Sequence, residues 1–198
     1  MVCSMSIATQ ERLHSVIGAL PLVDHHVHGA LRDDPKDRAD FERHIAETDR
    51  PGVGSWFDSQ LGIAIRRHCA PLLDLEPLVD ADTYIGRRRE LGAAEVTRRF
   101  LDATGTAHYL LETGYRGDEI LGVEGMAERS GRQVSEVVRL ETVAEEFAAS
   151  GVTSTQFVVG YEEFLRARTV GAVGLKSIIA YRFGFDFDPV PPSTTEVL

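Results

Sequence analysis

Apolar positions along this chain recur with two different periods, and the alternation between them predicts most of its architecture. Leu13, Val16, Ile17 and Leu20 fall at helical spacing, so residues 9–20 are predicted to form a short amphipathic helix. It leads into Pro21-Leu22-Val23, the apolar start of a first buried strand. Residues 30–34 are polar and read as loop. A charged, mostly exposed helix is predicted over 35–49, broken by Pro51-Gly52-Val53-Gly54. A more apolar helix covers 56–67 and ends before Pro71. Another spans 82–104, with Leu91, Val96, Phe100 and Leu101 available to pack and Gly105 as its stop. Three more strands are predicted at 107–114, 134–141 and 172–181, with helices at 118–129, 142–149 and 154–168 between them. The tail from Asp186 to Leu198 is rich in proline and polar residues, and 192–198 read as the start of one more helix.

Strands that alternate with helices, with no tight hairpin signal between any two of them, call for an α/β fold with a parallel sheet and right-handed crossovers. The connection from 30 to 105 is much longer than the others. It is therefore expected to form a helical insertion over the C-terminal ends of the strands, where the active-site loops of barrels lie. A length of 198 residues is enough for a single domain with one sizeable core.

Composition narrows the partners. Apolar content of 43% and charged content of 26% are those of a globular protein, and the net charge of -10 argues against nucleic acid or an anionic membrane surface. The one dense basic run, Arg87-Arg88-Arg89 with Arg98 and Arg99 further on, reads as a solvated helix face. No apolar stretch approaches the ~20 residues needed to cross a bilayer, and no basic cluster followed by an apolar run opens the chain, so a cytoplasmic location is the default. Cys3 and Cys69 give neither a disulfide framework nor a CxxC pair. Arg66-Arg67-His68 before Cys69 would lower the pKa of its thiol if it were exposed.

Chemistry concentrates in Leu22-Val23-Asp24-His25-His26-Val27-His28-Gly29, where an apolar strand runs straight into a cluster of histidines. A period of two puts Asp24, His26 and His28 on one face. Two imidazoles at that spacing can reach one cation, and histidine nitrogen suits zinc, manganese, iron or nickel. Gly29 lets the chain turn sharply off the strand. His14, His44, His68 and His108 read as ordinary core or surface histidines. The other predicted strands also end in polar residues: Glu112, then Arg139 and Glu141, then Lys176 and Arg182. Lys176 is flanked by Val173-Gly174-Leu175 and Ile178-Ile179, and a lysine buried there must be paired, deprotonated or modified. It is either salt-bridged to Asp24, Glu112 or Glu141, or adjacent to a metal, in the latter case with carbamylation as a way to offer carboxylate oxygens. Glu112 reads first as an ion-pair partner, and Arg139 or Arg182 as a bidentate holder of a substrate carboxylate or as structural ion pairs.

On Asp24-His25-His26-Val27-His28, on Val173-Gly174-Leu175-Lys176-Ser177-Ile178-Ile179-Ala180-Tyr181-Arg182 and on Phe57-Asp58-Ser59-Gln60-Leu61-Gly62, the chain resembles the amidohydrolase superfamily. The resemblance is to the amidohydrolase-related (amidohydrolase 2) branch, which occurs alone or fused to glutamine synthetase. It implies a TIM-like (β/α)8 metallo-dependent hydrolase barrel, of which this chain is the first half. It also implies a divalent metal, zinc first, that activates water against a C–N or related bond of a small-molecule substrate. By matching positions, His26 and His28 are metal ligands and Lys176 is a catalytic and metal-bridging group; Arg139 and Arg182 remain substrate-contact candidates on their place at the strand ends alone. The family's later histidines and its catalytic aspartate fall beyond Lys176, and residues 177–198 contain no histidine. The chain is therefore expected to be a truncated domain with open sheet edges. It either closes its sheet as a homo-oligomer or with a complementary chain, or persists as a non-catalytic remnant.

Overall fold

A computed structural model describes residues 6–46, 54–186, 188, 190, 193, 195 and 196. Four strands, β1 (Leu22–Val27), β2 (Thr106–Glu112), β3 (Gln133–Arg139) and β4 (Gly174–Lys176), lie side by side in sequence order and are all parallel. The sheet curls into a half-barrel. Helix α1 (Ile7–Gly18) precedes β1, and α2 (Arg38–Ile45), α3 (Gln60–His68) and α4 (Ala81–Ala103) fill the connection to β2. Further on come α5 (Val123–Ser130), α6 (Leu140–Ala149), α7 (Ser154–Arg168) and the short α8 (Ile179–Arg182). Among the described residues no helix is long and apolar enough to cross a membrane.

The expected insertion is present, and it holds the larger core. Phe41, Phe57, Leu73, Tyr84, Ile85 and Val96 are buried together there. Phe41 and Phe57 stack with ring centroids 5.1 Å apart, and both meet the edge or face of Tyr84. A second cluster, Tyr109, Leu111, Leu121 and Met126, lies between β2 and α5. The single core expected from length is thus two.

The motif Phe57-to-Gly62 has a structural explanation. Ser55 and Ser59 each cap a helical turn: Ser55 Oγ accepts from Phe57 N, and Ser59 Oγ accepts from Gly62 N while donating to Trp56 O at 2.6 Å. What was predicted as one helix over 56–67 is therefore a 3-10 turn (Trp56–Asp58) followed by α3. The helix predicted over 82–104 is present as α4, but Gly92 breaks it with φ 76°.

Other boundaries shift for local reasons. The helix expected over 35–49 starts at Arg38, capped by Asp37, whose side chain accepts from Asp40 N; residues 47–53, including the Pro51-Gly52-Val53 break, lie outside the described residues. Strand β3 ends at Arg139, because Leu140 and Glu141 already begin α6. The strand predicted over 172–181 shrinks to three residues, and Ile179–Arg182 is helical. Alternation cannot distinguish these short apolar runs. Of the helix expected over 192–198, residues 192, 194, 197 and 198 lie outside the described residues, as does Cys3.

The basic run is a solvated face only in part: Arg89 and Arg98 are exposed, while Arg87, Arg88 and Arg99 are engaged. Arg88 pairs with Asp34 at 2.6 Å, both largely buried, and its guanidinium lies over the rings of Phe41, Tyr84 and Phe100. Arg87 and Arg99 converge on Asp74 and donate to the carbonyls of Leu73 and Leu72. Helix α4 is thereby tied to the loop after β1 and to the turn after α3. Cys69 is half-buried beside this core, so the condition for a lowered thiol is not met, and burial pushes it up in spite of Arg88 nearby. Native Cys69 is accordingly expected to react with iodoacetamide much more slowly than in urea, as read by mass spectrometry of its peptide. Equal rates would contradict this packing.

Candidate functional site

Each of the four strands delivers its last polar residue to the same rim. Gly29 makes this possible at β1: its φ is +109°, and a Cβ there would lie 2.8 Å from the carbonyl oxygen of Leu121. Register shifts between Asp24 and Val27 break the strict alternation that the sequence predicts for β1. Asp24 does not share in the site. It is exposed, and its Oδ1 accepts from the backbone N–H of His26 at 3.2 Å. The rings of His26 and His28 lie edge to face, 5.5 Å apart.

Glu112 is the hub of the rim. It is 2% exposed. Its Oε1 accepts from Gly114 N at 2.6 Å, and its Oε2 accepts from Arg139 Nη2 at 2.5 Å. The same Oε2 lies 2.8 Å from His28 Nδ1 and 3.8 Å from Lys176 Nζ. Lys176 Nζ is in turn 3.2 Å from His26 Nε2. Residues at the two outer strands of the sheet, 150 positions apart, are therefore in contact.

Charge within this cluster is arranged consistently. Burial pushes Glu112 up, but the hydrogen bonds from Arg139 and Gly114 and the neighbouring positive charges together hold it below the ordinary carboxylate range. His28 is held below its ordinary value, by burial first and by Lys176, His26 and Arg139 besides, against the opposing pull of Glu112. It is thus neutral near pH 7, the form that binds a metal ion.

The sequence-predicted residues divide into two groups. His26, His28, Lys176, Glu112 and Arg139 come together. Arg139 is directed at Glu112 and packs over Tyr115, 5.9 Å from the ring centroid. Arg182 stands apart, exposed in α8. Lys176 is only partly covered, with 22% of its side chain exposed, less buried than its apolar flanks predicted. Of the proposed salt-bridge partners, the one it meets is Glu112. Glu141 is used elsewhere, accepting from Ser177 Oγ and Ile178 N. Two contributors escaped the sequence reading. Tyr115 covers His28 with ring centroids 4.9 Å apart, and Gly114 leaves room for the Glu112 carboxylate, where a Cβ would lie 2.8 Å from Oε1. The Thr113-Gly114-Tyr115 sequence directly after Glu112 was the available signal for both.

These residues fit a divalent cation in kind and fall short in number. His28 Nδ1 is buried yet off the axis of an aligned hydrogen bond, so it has no partner but the nearby carboxylate. The ammonium of Lys176, held between an imidazole nitrogen and a carboxylate oxygen, already occupies a cation's electrostatic position. Among the described residues, however, no group of three or more His, Cys, Asp or Glu converges as a ligand set. Two histidines fill half of a four-coordinate zinc shell.

No family model matches the chain, and no curated protein matches it. Among solved structures it is similar to a crystal structure from Lactobacillus casei ATCC 334 described as a "putative metal-dependent hydrolase", with 28% sequence identity and a TM-score of 0.63. The match covers 90% of this chain and 47% of that one, so the chain spans about half the length of the protein it resembles.

Proposed function

We propose that this chain carries the metal-binding half of a metal-dependent hydrolase of the amidohydrolase type. In this reading its sheet is the first half of a (β/α)8 barrel, and the substrate is a small molecule with a C–N or related hydrolysable bond. The observation that carries it is the meeting of His26 and His28 from β1 with Lys176 from β4 at one rim of a curled parallel sheet. The likeness to the Lactobacillus casei structure supports the reaction class.

His26 and His28 would hold a divalent cation, zinc first by the preference of paired imidazoles. Such an ion polarises a bound carbonyl and lowers the pKa of a bound water. Glu112 lies 2.8 Å from His28 Nδ1 and 3.8 Å from Lys176 Nζ, the place held by the outer partners of metal-binding imidazoles. Arg139 neutralises Glu112 and keeps it ionised. Arg182, exposed and uncommitted to Glu112, is the arginine with freedom to reach a substrate carboxylate.

Metal content by mass spectrometry of the purified chain tests this reading. Stoichiometric divalent metal is expected in the parent and its loss in the His26→Ala/His28→Ala variant. The 3.2 Å contact of Lys176 Nζ with His26 Nε2 favours a second reading, a non-catalytic remnant in which Lys176 permanently takes the cation's place. A metal-free parent that also fails to bind added zinc would sink the first reading and leave the second.

A further inference from the structure

Helix α4 breaks at Gly92, and a cavity of about 200 Å³ lies beside the break. Arg88 borders it from the turn before Gly92, Val96, Thr97 and Phe100 from the segment after it, and Leu31 and Asp34 from the loop after β1. Aliphatic and aromatic side chains make up most of its wall. None of the residues that meet at the rim, His26, His28, Glu112, Arg139 and Lys176, borders this space.

Two polar atoms on this wall are left over. Asp34 Oδ1 accepts from Arg88 Nη2 at 2.6 Å, but Asp34 Oδ2 and Arg88 Nε are buried without a hydrogen-bond partner among the described residues. A buried acceptor and a buried donor left unpaired are costly, and such atoms are as a rule met by water or by a ligand. Arg88 is not free to turn and satisfy itself, because its guanidinium lies 5.2 to 5.9 Å from the ring centroids of Phe41, Tyr84 and Phe100. Water suits the polar end and little else. The cavity is several times the ~30 Å³ that a water takes up in the liquid, and its apolar wall gives further waters no partners; an apolar cavity of ~150 Å³ stays dry and takes benzene.

We propose that this cavity binds a neutral molecule built on one aromatic ring that carries a hydroxyl, with the hydroxyl at the Asp34–Arg88 pair. A hydroxyl donates one hydrogen bond and accepts others, so a single group serves both Asp34 Oδ2 and Arg88 Nε. The ring occupies the apolar remainder between Leu31, Val96 and Phe100. Charge narrows the class further. Asp34 and Arg88 offset each other, and Asp33, the one exposed residue on the wall, adds a carboxyl group on the solvent side, so a ring bearing a carboxylate is repelled. A metal at the rim is not needed for this binding.

Fluorine NMR of the full chain at pH 7 in buffer containing EDTA tests this with 4-fluorophenol, fluorobenzene and 4-fluorobenzoate. Binding of 4-fluorophenol is expected at about tenfold the affinity of fluorobenzene, the step that one hydrogen bond to a charged group supplies, with no binding of 4-fluorobenzoate. Ala93→Leu enlarges a side chain on the cavity wall and leaves Asp34 and Arg88 in place. It is expected to abolish the binding while the circular dichroism spectrum is kept. The three compounds on the parent chain decide without any variant. Equal binding of 4-fluorophenol and fluorobenzene overturns the proposal and leaves an apolar void, tighter binding of 4-fluorobenzoate overturns it in favour of an anion site, and no binding of 4-fluorophenol assigns the two polar atoms to water. Undiminished 4-fluorophenol binding by a folded Ala93→Leu overturns it as well, since the compound would then lie elsewhere.

Discussion

Glu112→Ala is expected to destabilise the chain by about 3–5 kcal/mol, the loss typical of breaking a buried ion pair from one side. The carboxylate is almost fully buried, and the side chain of Arg139 beside it is 11% exposed. Without Glu112 that guanidinium stays enclosed with its charge uncompensated, and its Nε already has no hydrogen-bond partner. Removal also leaves Gly114 N without its acceptor and releases His28 and Lys176 from a common neighbour. Three strand ends lose their connection together. Urea denaturation followed by circular dichroism reads the stability, and Glu112→Gln separates the causes. Glutamine keeps a single carbonyl oxygen, which can accept from Gly114 N or from Arg139 but not from both in place, while removing the charge, so it should recover only part of the loss. A Glu112→Ala variant as stable as the parent would show that the rim is held by the sheet alone.

Gly62→Ala is expected to cost about 3 kcal/mol, the upper end for overpacking a filled interior. The first turn of α3 sits directly on the preceding 3-10 turn. A Cβ on Gly62 would fall 2.3 Å from Trp56 O and 2.4 Å from Phe57 Cα. Both obstacles are backbone, so no side-chain rotation relieves them. The turn must open, which pulls Phe57 out of its stack on Phe41 and weakens the Ser59 caps. Loss of the sole tryptophan's native fluorescence at lower urea, with the strand-rim contacts less affected, is the expected signature. Gly86→Ala, in open space on α4, is the control and should raise the denaturation midpoint slightly, by the ~0.5–1 kcal/mol that separates alanine from glycine inside a helix.

The two positions also differ in how they could be read beforehand. Gly62 belongs to a motif visible in the sequence, but a glycine in a helix pattern carries no local sign of what approaches it. The reason is tertiary contact with a backbone two turns away. Glu112 was legible as a polar residue at a strand end, and an ion pair was the expected role. That it would touch His28, Arg139 and Lys176 at once depends on how far the sheet curls. Curl is not encoded in alternation.

Hydrophobic period and turn residues determined the order of elements, the parallel sheet and the long helical connection after β1, because these depend on local backbone preference and on crossover geometry. They also placed His26, His28, Glu112, Arg139 and Lys176 at strand ends. Three things were decided only by the tertiary structure: the separate core of the insertion, the burial of Arg88 against Asp34 and three rings, and the partial covering of Lys176. A residue's burial is set by neighbours far from it in the chain, as Arg88 and Asp34 show.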